Sequence, residues 1–371
     1  MIVQQQVSLP EDWLVPKALG RSNVRIGRIG LGLREIGADP VRTRAMLSRA
    51  VDLGITYFDT APSYGLGISE TRFGDALPDL GRDNLVISTK VGVDLRRSTR
   101  SGKVLHVVSE TIFGGPEGRR LFADRVNRVL RPRPSPPADP NAPPSATSGL
   151  DVSALCDYSY DGVMRSLDKS LARLRTDRVD ILYIHDPVVH YGQAIRGPYR
   201  ALQQLRREGT VGAIGVGMNQ TRLLRHFAND GEFDVFLLAG RYSLMDQSAA
   251  TELFPLAVER GISIVLAGVF NGGLLANPVA TAEFDYGPTP PNKLAHALRL
   301  KAVCDRHGVS LKAAALAFSF GHPAVHNLLL GATSAAELDE NIALLQAPIP
   351  PELWSDLRSE GLLLEGVPQP A

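Results

Sequence analysis

Cysteine is scarce in this sequence, and no long apolar run interrupts it. The two cysteines, Cys156 and Cys304, match no metal-ligand spacing and exclude a disulfide framework, which indicates a reducing, cytoplasmic setting. No apolar stretch reaches the ~18 residues that a membrane-spanning helix needs. The first residues, MIVQQQVSLPEDW, lack a basic region followed by an apolar run, so we expect no signal peptide.

An excess of charge of either sign is also missing. The 40 basic and 39 acidic side chains leave a formal net charge of +1. Because no global field would attract phosphate backbones or anionic lipids, we expect neither a nucleic-acid nor a membrane partner. A small-molecule substrate is the expected partner, no metal is expected, and the sequence leaves open whether the protein is a monomer or a homo-oligomer.

The sequence does contain a regular alternation of apolar runs and helical patterns. Hydrophobic residues make up 44% of the 371 residues, which is enough for a large core. The apolar runs predict eight strands buried on both faces: Ile26–Leu33, Ile55–Thr60, Leu85–Val91, Val179–His185, Val211–Val216, Phe233–Leu238, Ile262–Leu266 and Asn327–Leu330. Helices are predicted at Val41–Leu53, Tyr160–Leu174, Tyr199–Glu208, Thr221–Asn229, Ala249–Arg260, Lys293–His307, Leu311–Ser319 and Ala335–Leu345. This alternation predicts an α/β fold, a closed (β/α)8 TIM barrel, with residues 1–371 as a single domain.

A doubly wound open sheet is the alternative fold. Such sheets normally carry a glycine fingerprint between the first strand and the following helix. The stretch Gly30-Leu-Gly-Leu-Arg-Glu lacks the third glycine, and no helical pattern follows it directly. The barrel is therefore favoured.

One region, residues 92–158, breaks the alternation after the third strand. Its stretch 130–144 holds seven of the 26 prolines, which cannot donate ladder hydrogen bonds. We interpret 92–158 as an insertion on the face where barrel active sites lie. We expect residues 130–148 to be mobile and the flanks, including Phe113 and Phe122, to cover part of the barrel mouth. A linker between two domains is the alternative, which is disfavoured because neither side alone completes a barrel.

Four side chains that suit proton transfer follow three successive strands. Asp59 and Tyr64 lie in Phe-Asp-Thr-Ala-Pro-Ser-Tyr-Gly after the second strand, Lys90 ends the third, and His185 ends the fourth. Parallel strands end at one rim of a barrel, so these groups should converge. Taken singly, each residue type has a common structural role: a tyrosine packs, an aspartate at a strand end caps the next helix, and a lysine extends to water. Taken together, they favour a catalytic site.

The chemistry of the four groups is complementary. A tyrosine titrates near about pH 10, and a neighbouring ammonium favours its phenolate. We therefore predict that Lys90 lowers the pKa of Tyr64, that Asp59 holds the lysine charged, and that His185 orients a substrate oxygen. This arrangement predicts general acid–base catalysis without a metal.

These motifs resemble those of the aldo-keto reductase family. The segments Gly65-Leu-Gly-Ile-Ser-Glu, Gly215-Val-Gly-Met-Asn-Gln and Gly331-Ala-Thr-Ser through Asn341 also resemble that family, over roughly residues 18 to 363 apart from the insertion. The resemblance implies that Tyr64 is the proton donor or acceptor. It also implies a nicotinamide cofactor, NAD or NADP, bound by a set of residues at the strand ends: Met218, Asn219, Phe270, Asn271, Gly331, Thr333, Glu337, Glu340 and Asn341.

Five segments, 157–163, 184–187, 217–220, 239–244 and 269–273, are most similar to the aldose 1-dehydrogenase branch of the family, which includes L-fucose, D-threo-aldose and L-galactose dehydrogenases and a pyridoxal 4-dehydrogenase. That likeness implies oxidation of a hemiacetal carbon to a lactone, with Tyr64 as general base. Asp186, Arg241 and Asn271 are the polar candidates near the rim for contacts to the substrate, and a structural role is their alternative. Gly268 stands where many members have an aromatic residue that stacks on the nicotinamide, so Phe270 is expected to replace it. Ala239 stands where a glutamine usually contacts the carboxamide.

Cofactor preference and function leave alternatives. The stretch 331–341 has three acidic residues and no basic one, and Glu337 stands where NADP-using members carry a cation, so we expect a preference for NAD. One alternative function is an NADPH-dependent reductase of small aldehydes or ketones. A second is a nucleotide-binding sensor or accessory subunit with little catalysis.

Overall fold

A computed structural model describes residues 8–36, 39–97, 152–285, 287–368 and 370 of the chain. Its centre is a closed barrel of eight parallel strands, in which each strand pairs with the next along the chain and the last pairs with the first. The strands are β1 Ile29–Gly32, β2 Tyr57–Asp59, β3 Val86–Val91, β4 Ile181–His185, β5 Ala213–Met218, β6 Val235–Ala239, β7 Ser263–Ala267 and β8 Val325–Gly331. The predicted TIM barrel is confirmed.

Helices surround the barrel. They are α1 Glu11–Leu14, α2 Pro40–Asp52, α3 Ile68–Leu80, α4 Tyr160–Leu174, α5 Tyr191–Arg196, α6 Pro198–Arg207, α7 Thr221–Asp230, α8 Ser248–Glu252, α9 Phe254–Glu259, α10 Pro291–Arg306, α11 Leu311–Phe318, α12 Ala335–Leu345 and α13 Pro351–Ser359. Several begin at the caps that their sequences provide: Asp39 accepts from the backbone N–H groups of Val41 and Arg42, and Ser334 accepts from that of Glu337. None of the helices in the described ranges is long and apolar enough to cross a membrane.

The first predicted strand, Ile26–Leu33, is wrong as a single element. Arg25–Ile26 pairs antiparallel with Lys17–Ala18, and only Ile29–Gly32 enters the barrel. We call the antiparallel pair the N-terminal ribbon. It covers the N-terminal mouth of the barrel, defined by the first residues of β1–β8. Leu19 and Ile26 are fully buried among the inward-facing side chains of the strands, so the ribbon closes that end of the core.

Two predicted helices also need correction. Ala249–Arg260 is two short helices, because Pro255 has no N–H for a hydrogen bond back to the preceding turn. The helix α3 was not predicted, since Gly74 and Pro78 obscure its pattern. Gly74 is nonetheless required there, because a Cβ on it would lie 2.3 Å from the carbonyl oxygen of Arg173 on α4.

The predicted insertion begins and ends as regular structure. Val93–Arg97 and Val152–Cys156 form an antiparallel pair that continues from β3, which we call the insertion ribbon. It is fixed to α4, where Lys169 forms a 2.6 Å ion pair with the buried Asp94. The predictions about Phe113, Phe122 and residues 130–148 fall on residues outside those that the structure describes.

Candidate active site

The four predicted catalytic residues lie together at the C-terminal mouth, defined by the last residues of β1–β8. Asp59 ends β2, Lys90 lies near the end of β3, and His185 ends β4. Tyr64 begins a short 3-10 turn, Tyr64–Gly67, in which Gly65 and Leu66 both have positive φ, at 57° and 53°. This left-handed turn carries the tyrosine back over the strand ends.

Asp59 and Lys90 form a buried ion pair. Lys90 Nζ lies 2.6 Å from Asp59 Oδ2 and also donates to the carbonyl oxygen of Thr60 at 2.9 Å. The lysine is only 1% exposed and the aspartate 3%. Burial lowers the pKa of Lys90, but the charge of Asp59 and the interactions with Tyr64 outweigh that effect, and the pKa is raised overall. The lysine is therefore held as an ammonium.

Tyr64 lies over this ion pair and beside the histidine. Lys90 Nζ is 4.6 Å from the centroid of the Tyr64 ring. The rings of Tyr64 and His185 meet edge to face, with centroids 5.9 Å apart. The phenol, ammonium and imidazole thus surround one point at the C-terminal mouth, as the sequence predicts.

Lys90 lowers the pKa of Tyr64, as predicted, but other effects outweigh it. Burial raises the pKa of Tyr64; Lys90 lowers it as expected, but Asp59 raises it again, and the pKa stays above the ordinary value of a tyrosine. The burial of the phenol and its repulsion by the carboxylate depend on the tertiary structure, and together they outweigh the ammonium. At neutral pH, Tyr64 is a protonated phenol.

Sequence reasoning missed a chain of buried hydroxyls behind Asp59. Ser88 Oγ donates to Asp59 Oδ1 at 2.6 Å, Tyr57 Oη lies 3.1 Å from Ser88 Oγ, and Tyr183 Oη lies 3.2 Å from Tyr57 Oη. Each hydroxyl has one proton, so the carboxylate determines the direction: Tyr183 donates to Tyr57, and Tyr57 donates to Ser88. All three dipoles stabilise the charge of Asp59. The only sequence signal was that Ser88 and Lys90 point to the same face of β3.

Tyr158 is a second missed residue. Its hydroxyl donates to the carbonyl oxygen of His185 at 2.6 Å, and its ring lies against that of His190, with centroids 4.8 Å apart. A Cβ on Gly92 would lie 2.4 Å from the Tyr158 ring, so glycine is needed there. Tyr158 therefore connects the base of the insertion ribbon to the strand end that carries His185.

The predicted nicotinamide-side residues lie at the ends of β5 and β7. Met218 and Asn219 are buried beside each other, and a cavity of about 330 Å³ that Asn219 and Arg241 line opens next to them. Asn271 has a φ of 50° and links two loops: its Nδ2 donates to Gly240, and its Oδ1 accepts from Ser243 Oγ at 2.7 Å. The half-buried Phe270 lies under Lys312, whose Nζ is 5.8 Å from its ring centroid.

The predicted adenosine-side residues lie at the end of β8 and on α12. A Cβ on Gly331 would meet no atom within 4 Å, so open space adjoins this strand end. Glu337 Oε2 accepts from the backbone N–H and the hydroxyl of Thr333, both at 2.8 Å. The buried Asn341 donates to the carbonyl oxygen of Gly331 at 3.1 Å, and Glu340 pairs with Lys312 at 2.8 Å. Lys312, on α11, thus adds a basic side chain to this acidic stretch, and nothing in the sequence of the stretch predicts that contact.

Two of the predicted substrate residues differ in their surroundings. Asp186 follows His185 in a left-handed conformation, φ 46°, with its carboxylate 3.9 Å from His185 Nε2. Arg241 pairs with Asp285 at 2.8 Å and with Asp246 at 3.6 Å, and donates to the carbonyl oxygen of Asn219 at 3.0 Å. These contacts hold the loop of Asp285 against the end of β5, and the substrate contact of Arg241 stays a prediction.

The aldo/keto reductase family profile matches residues 26–360, which is most of the chain. The chain belongs to the aldo/keto reductase family. As a member, it is an oxidoreductase that uses a nicotinamide cofactor, NAD(P)(H), and acts on a small molecule. The residues at the mouth fit such a group, because a buried amide at Asn219 lies next to a cavity and open space lies over β8.

Individual relatives support this membership. The aldo/keto reductase chain is 37% identical over 365 residues to pyridoxal 4-dehydrogenase of Microbacterium luteolum, covering 94% of this chain and 97% of the relative. It is 34% identical over 349 residues to D-threo-aldose 1-dehydrogenase of a Pseudomonas species, covering 93% and 94%. The structure of an aldo-keto reductase from Bacillus halodurans in its holo form has the same fold, with a TM-score of 0.66 at 21% identity over 95% of this chain and 97% of that one.

Proposed function

We propose that this enzyme oxidises the hemiacetal carbon of an aldose, or of a related cyclic hemiacetal such as that of pyridoxal, to a lactone. The observation that carries the proposal is the placement of the Tyr64 phenol over the Lys90–Asp59 pair and against His185. Two of the relatives above are named for such reactions. A compact polar ring fits a mouth surrounded by phenol, ammonium and imidazole better than a long alkyl ketone does.

In this proposal each residue has one role. Tyr64 takes the proton of the anomeric hydroxyl, and His185 hydrogen-bonds the same oxygen and orients it. Lys90 stabilises the phenolate form in which Tyr64 must be before it takes that proton, while Asp59 keeps the lysine charged and in place. An oxidised nicotinamide, for which Asn219 is the proposed contact to the carboxamide, would supply the hydride acceptor for the anomeric carbon, and the loss of hydride and proton together would convert the hemiacetal to the lactone.

The alternative is reduction of small aldehydes or ketones with the same residues. One observation favours it: the raised pKa of Tyr64 leaves the phenol protonated at neutral pH, ready to donate. If the enzyme catalyses the oxidation, the raised pKa makes the rate increase with pH, because Tyr64 must lose its proton before it can act as a base. For the reduction, it makes the rate level through neutral pH.

The deciding experiment compares turnover in the two directions. Sugar hemiacetals and pyridoxal are offered with the oxidised cofactor, and methylglyoxal and simple ketones with the reduced one, at matched concentrations from neutral to alkaline pH. We expect oxidation of a polar hemiacetal to give the higher kcat/KM and to rise with pH. Turnover of apolar ketones alone would refute the proposal, as would an oxidation rate that falls with pH.

We further propose that the enzyme prefers NAD to NADP. Glu337 lies in the first turn of α12, where its carboxylate would repel a 2′-phosphate and accept from a free 2′-hydroxyl. Lys312 is nearby but is paired with Glu340, which weakens its attraction for a phosphate. Asp339 is occupied by Arg49 at 2.8 Å. The net charge that a 2′-phosphate would meet is therefore decided by Glu337.

The test of this preference is the ratio of kcat/KM for the two oxidised cofactors with one good substrate. We expect the wild type to favour NAD and Glu337→Arg to shift the ratio towards NADP by about tenfold or more. Glu352→Arg, the same charge change on α13, is the control and should leave the ratio unchanged. A wild type that favours NADP would refute the preference.

A further inference from the structure

A second cavity opens at the N-terminal mouth, on the opposite side of the barrel from the catalytic residues. It has a volume of about 450 Å³ and lies where β7 and β8 begin, at Ser263 and Val325. The N-terminal ribbon forms one wall through Lys17. Its size falls within the range of about 300–1,000 Å³ that small-molecule sites occupy.

The side chains that line this cavity are basic without an acidic counterpart. Lys17, Arg28, His322 and His326 line it, and no Asp or Glu does so among the residues that the structure describes. Burial lowers the pKa of His326, backbone hydrogen bonds oppose that effect, and the charges of Lys17 and Arg28 lower the pKa further. The three groups line the same cavity and thus form one positive region.

Arg28 is the centre of this region. Its guanidinium lies over the Phe320 ring, 4.6 Å from the centroid, and near the Trp13 ring at 5.8 Å. These two aromatic rings hold the guanidinium in place and leave its N–H donors unused. The Arg28 side chain makes no salt bridge with any carboxylate among the described residues. Burial lowers the pKa of Arg28, and only the exposed Asp12 opposes that effect. An arginine fixed in this way is a preformed receptor for an anion.

The two histidines add donors of known direction. His322 Nδ1 accepts from the backbone N–H of Ala324 at 3.1 Å, which leaves its proton on Nε2. His326 Nε2 donates to the carbonyl oxygen of Lys17 at 3.2 Å, and its Nδ1 lies 3.4 Å from Ser263 Oγ. Burial lowers the pKa of both imidazoles, so each is neutral at neutral pH. The fixed positive charges are therefore those of Lys17 and Arg28.

We propose that this cavity is a second ligand site, which binds a compact phosphate monoester. The phosphoryl oxygens accept from the Arg28 fork, with Lys17 as the second cation. The body of the ester lies against the apolar side of the lining, which includes Val258, 59% exposed, and Pro323. Because Lys17 belongs to the ribbon while His326 belongs to β8, the bound ligand joins the ribbon to the barrel and stabilises the folded state.

The test is binding to the full chain with reduced nicotinamide cofactor bound at saturation, so that phosphate cannot enter the cofactor site. Glycerol 3-phosphate is titrated by calorimetry and by thermal shift, with malonate as a dicarboxylate probe and sodium chloride at matched ionic strength. We expect saturable binding of glycerol 3-phosphate and a rise in Tm that chloride does not produce.

Three variants locate the site. Arg28→Met should raise the Kd for glycerol 3-phosphate by about tenfold or more, and Lys17→Met should raise it by less. Arg25→Met is the matched control: it removes one arginine of the same ribbon, whose guanidinium donates to the carbonyl oxygen of Pro16, and should leave Kd unchanged. If Arg28→Met does not fold, Lys17→Met at an exposed side chain still tests the site. The proposal is overturned by an absence of saturable binding, by equal weakening in Arg25→Met, or by tighter binding of malonate than of the phosphate ester.

Discussion

The two mouths of the barrel are built from opposite kinds of residue. At the C-terminal mouth, the ion pair of Asp59 and Lys90 is buried, and Asp186 and Asn271 adopt left-handed backbone conformations. At the N-terminal mouth, the ribbon places Leu19 and Ile26 in the core, and both are fully buried. Each such apolar side chain stabilises the fold by about 1.5–3 kcal/mol. The comparison teaches that this fold separates the groups that react from the contacts that stabilise.

The separation has a physical reason. A buried ion pair costs desolvation free energy, which its mutual attraction and hydrogen bonds offset only in part. Strained backbone adds a further cost of about 1–3 kcal/mol for each residue. A barrel tolerates these costs at one end because the other end and the helix–strand interfaces supply apolar burial. Substitutions at the two mouths should therefore differ in what they change.

The largest effect should be on catalysis at the C-terminal mouth. Tyr64→Phe removes the proton-transfer group, and kcat/KM should fall by about 10²–10⁴-fold, because general acid–base groups contribute that much. Cofactor affinity and Tm should change little. Tyr160→Phe, which removes a hydroxyl that donates to Gln204 on α6, is the control and should keep its turnover. Retention of more than half of the turnover by Tyr64→Phe would show that the phenol only packs.

The next effect is on stability at the same mouth. Lys90→Met leaves the Asp59 carboxylate buried without its cation, which should lower the free energy of unfolding by about 3–5 kcal/mol. Removing the second charge as well, in Asp59→Leu/Lys90→Met, should restore part of that loss although the enzyme stays inactive. Urea unfolding measures the wild type, the single variants Lys90→Met and Asp59→Leu, and the double variant. If the double variant loses as much free energy of unfolding as the two single variants together, the unpaired charge is not the source of the loss in Lys90→Met.

A pair of glycines compares the two mouths directly. Gly20, in the ribbon, has a φ of 51°, and a Cβ there would lie 2.1 Å from the carbonyl oxygen of Asp234. Gly20→Ala should therefore lower the free energy of unfolding by about 1–3 kcal/mol while turnover per folded molecule is kept. Gly331→Ala, at the end of β8, should leave Tm unchanged, because its Cβ meets no atom within 4 Å. It should instead raise KM for the cofactor. If Gly20→Ala impaired only turnover and Gly331→Ala impaired only stability, the assignment of catalysis to the C-terminal mouth would be contradicted.

The barrel and the convergence of the four candidate catalytic residues could be predicted because both follow from local patterns. Apolar runs that end in a polar residue placed Asp59, Lys90 and His185 at one rim before any contact was known. The N-terminal ribbon was not predictable, since Ile26 and Ile29 read as one apolar run and only the break at Gly27 and Arg28 separates them. The backbone N–H of Arg28 donates to Trp13, a long-range choice that no local pattern shows.

The pKa values of the site residues depend on how deeply each side chain is buried, and the sequence does not show that burial. The presence of Lys90 beside Tyr64 was correctly inferred, but the pKa of Tyr64 is raised because burial and Asp59 outweigh the lysine. The same limit applies to Arg241, whose charge suggested a substrate contact. In the folded protein, Arg241 pairs with Asp285, which is 44 residues away in the sequence, and this pairing follows from the tertiary fold.

The smallest expected effect lies between the mouths, at the inner end of the hydroxyl chain. Tyr183→Phe removes the donor to Tyr57, which should cost about 0.5–1.5 kcal/mol of stability near neutral pH.

Burial raises the pKa of Tyr183 well above its ordinary value, so above about pH 10 the unfolded chain releases this proton while the folded protein retains it. Stability then falls with rising pH, by up to about 1.4 kcal/mol per pH unit for each such tyrosine. The phenylalanine has no proton to release, so the disadvantage of Tyr183→Phe should shrink as the pH rises past about 10 and then reverse. Urea unfolding at about pH 8 and about pH 11 measures the change. Leu182→Ala, at a fully buried site without a titratable group, should cost the same at both. A Tyr183→Phe deficit that is equal at both pH values would show that this hydroxyl ionises as readily in the folded protein as in the unfolded chain.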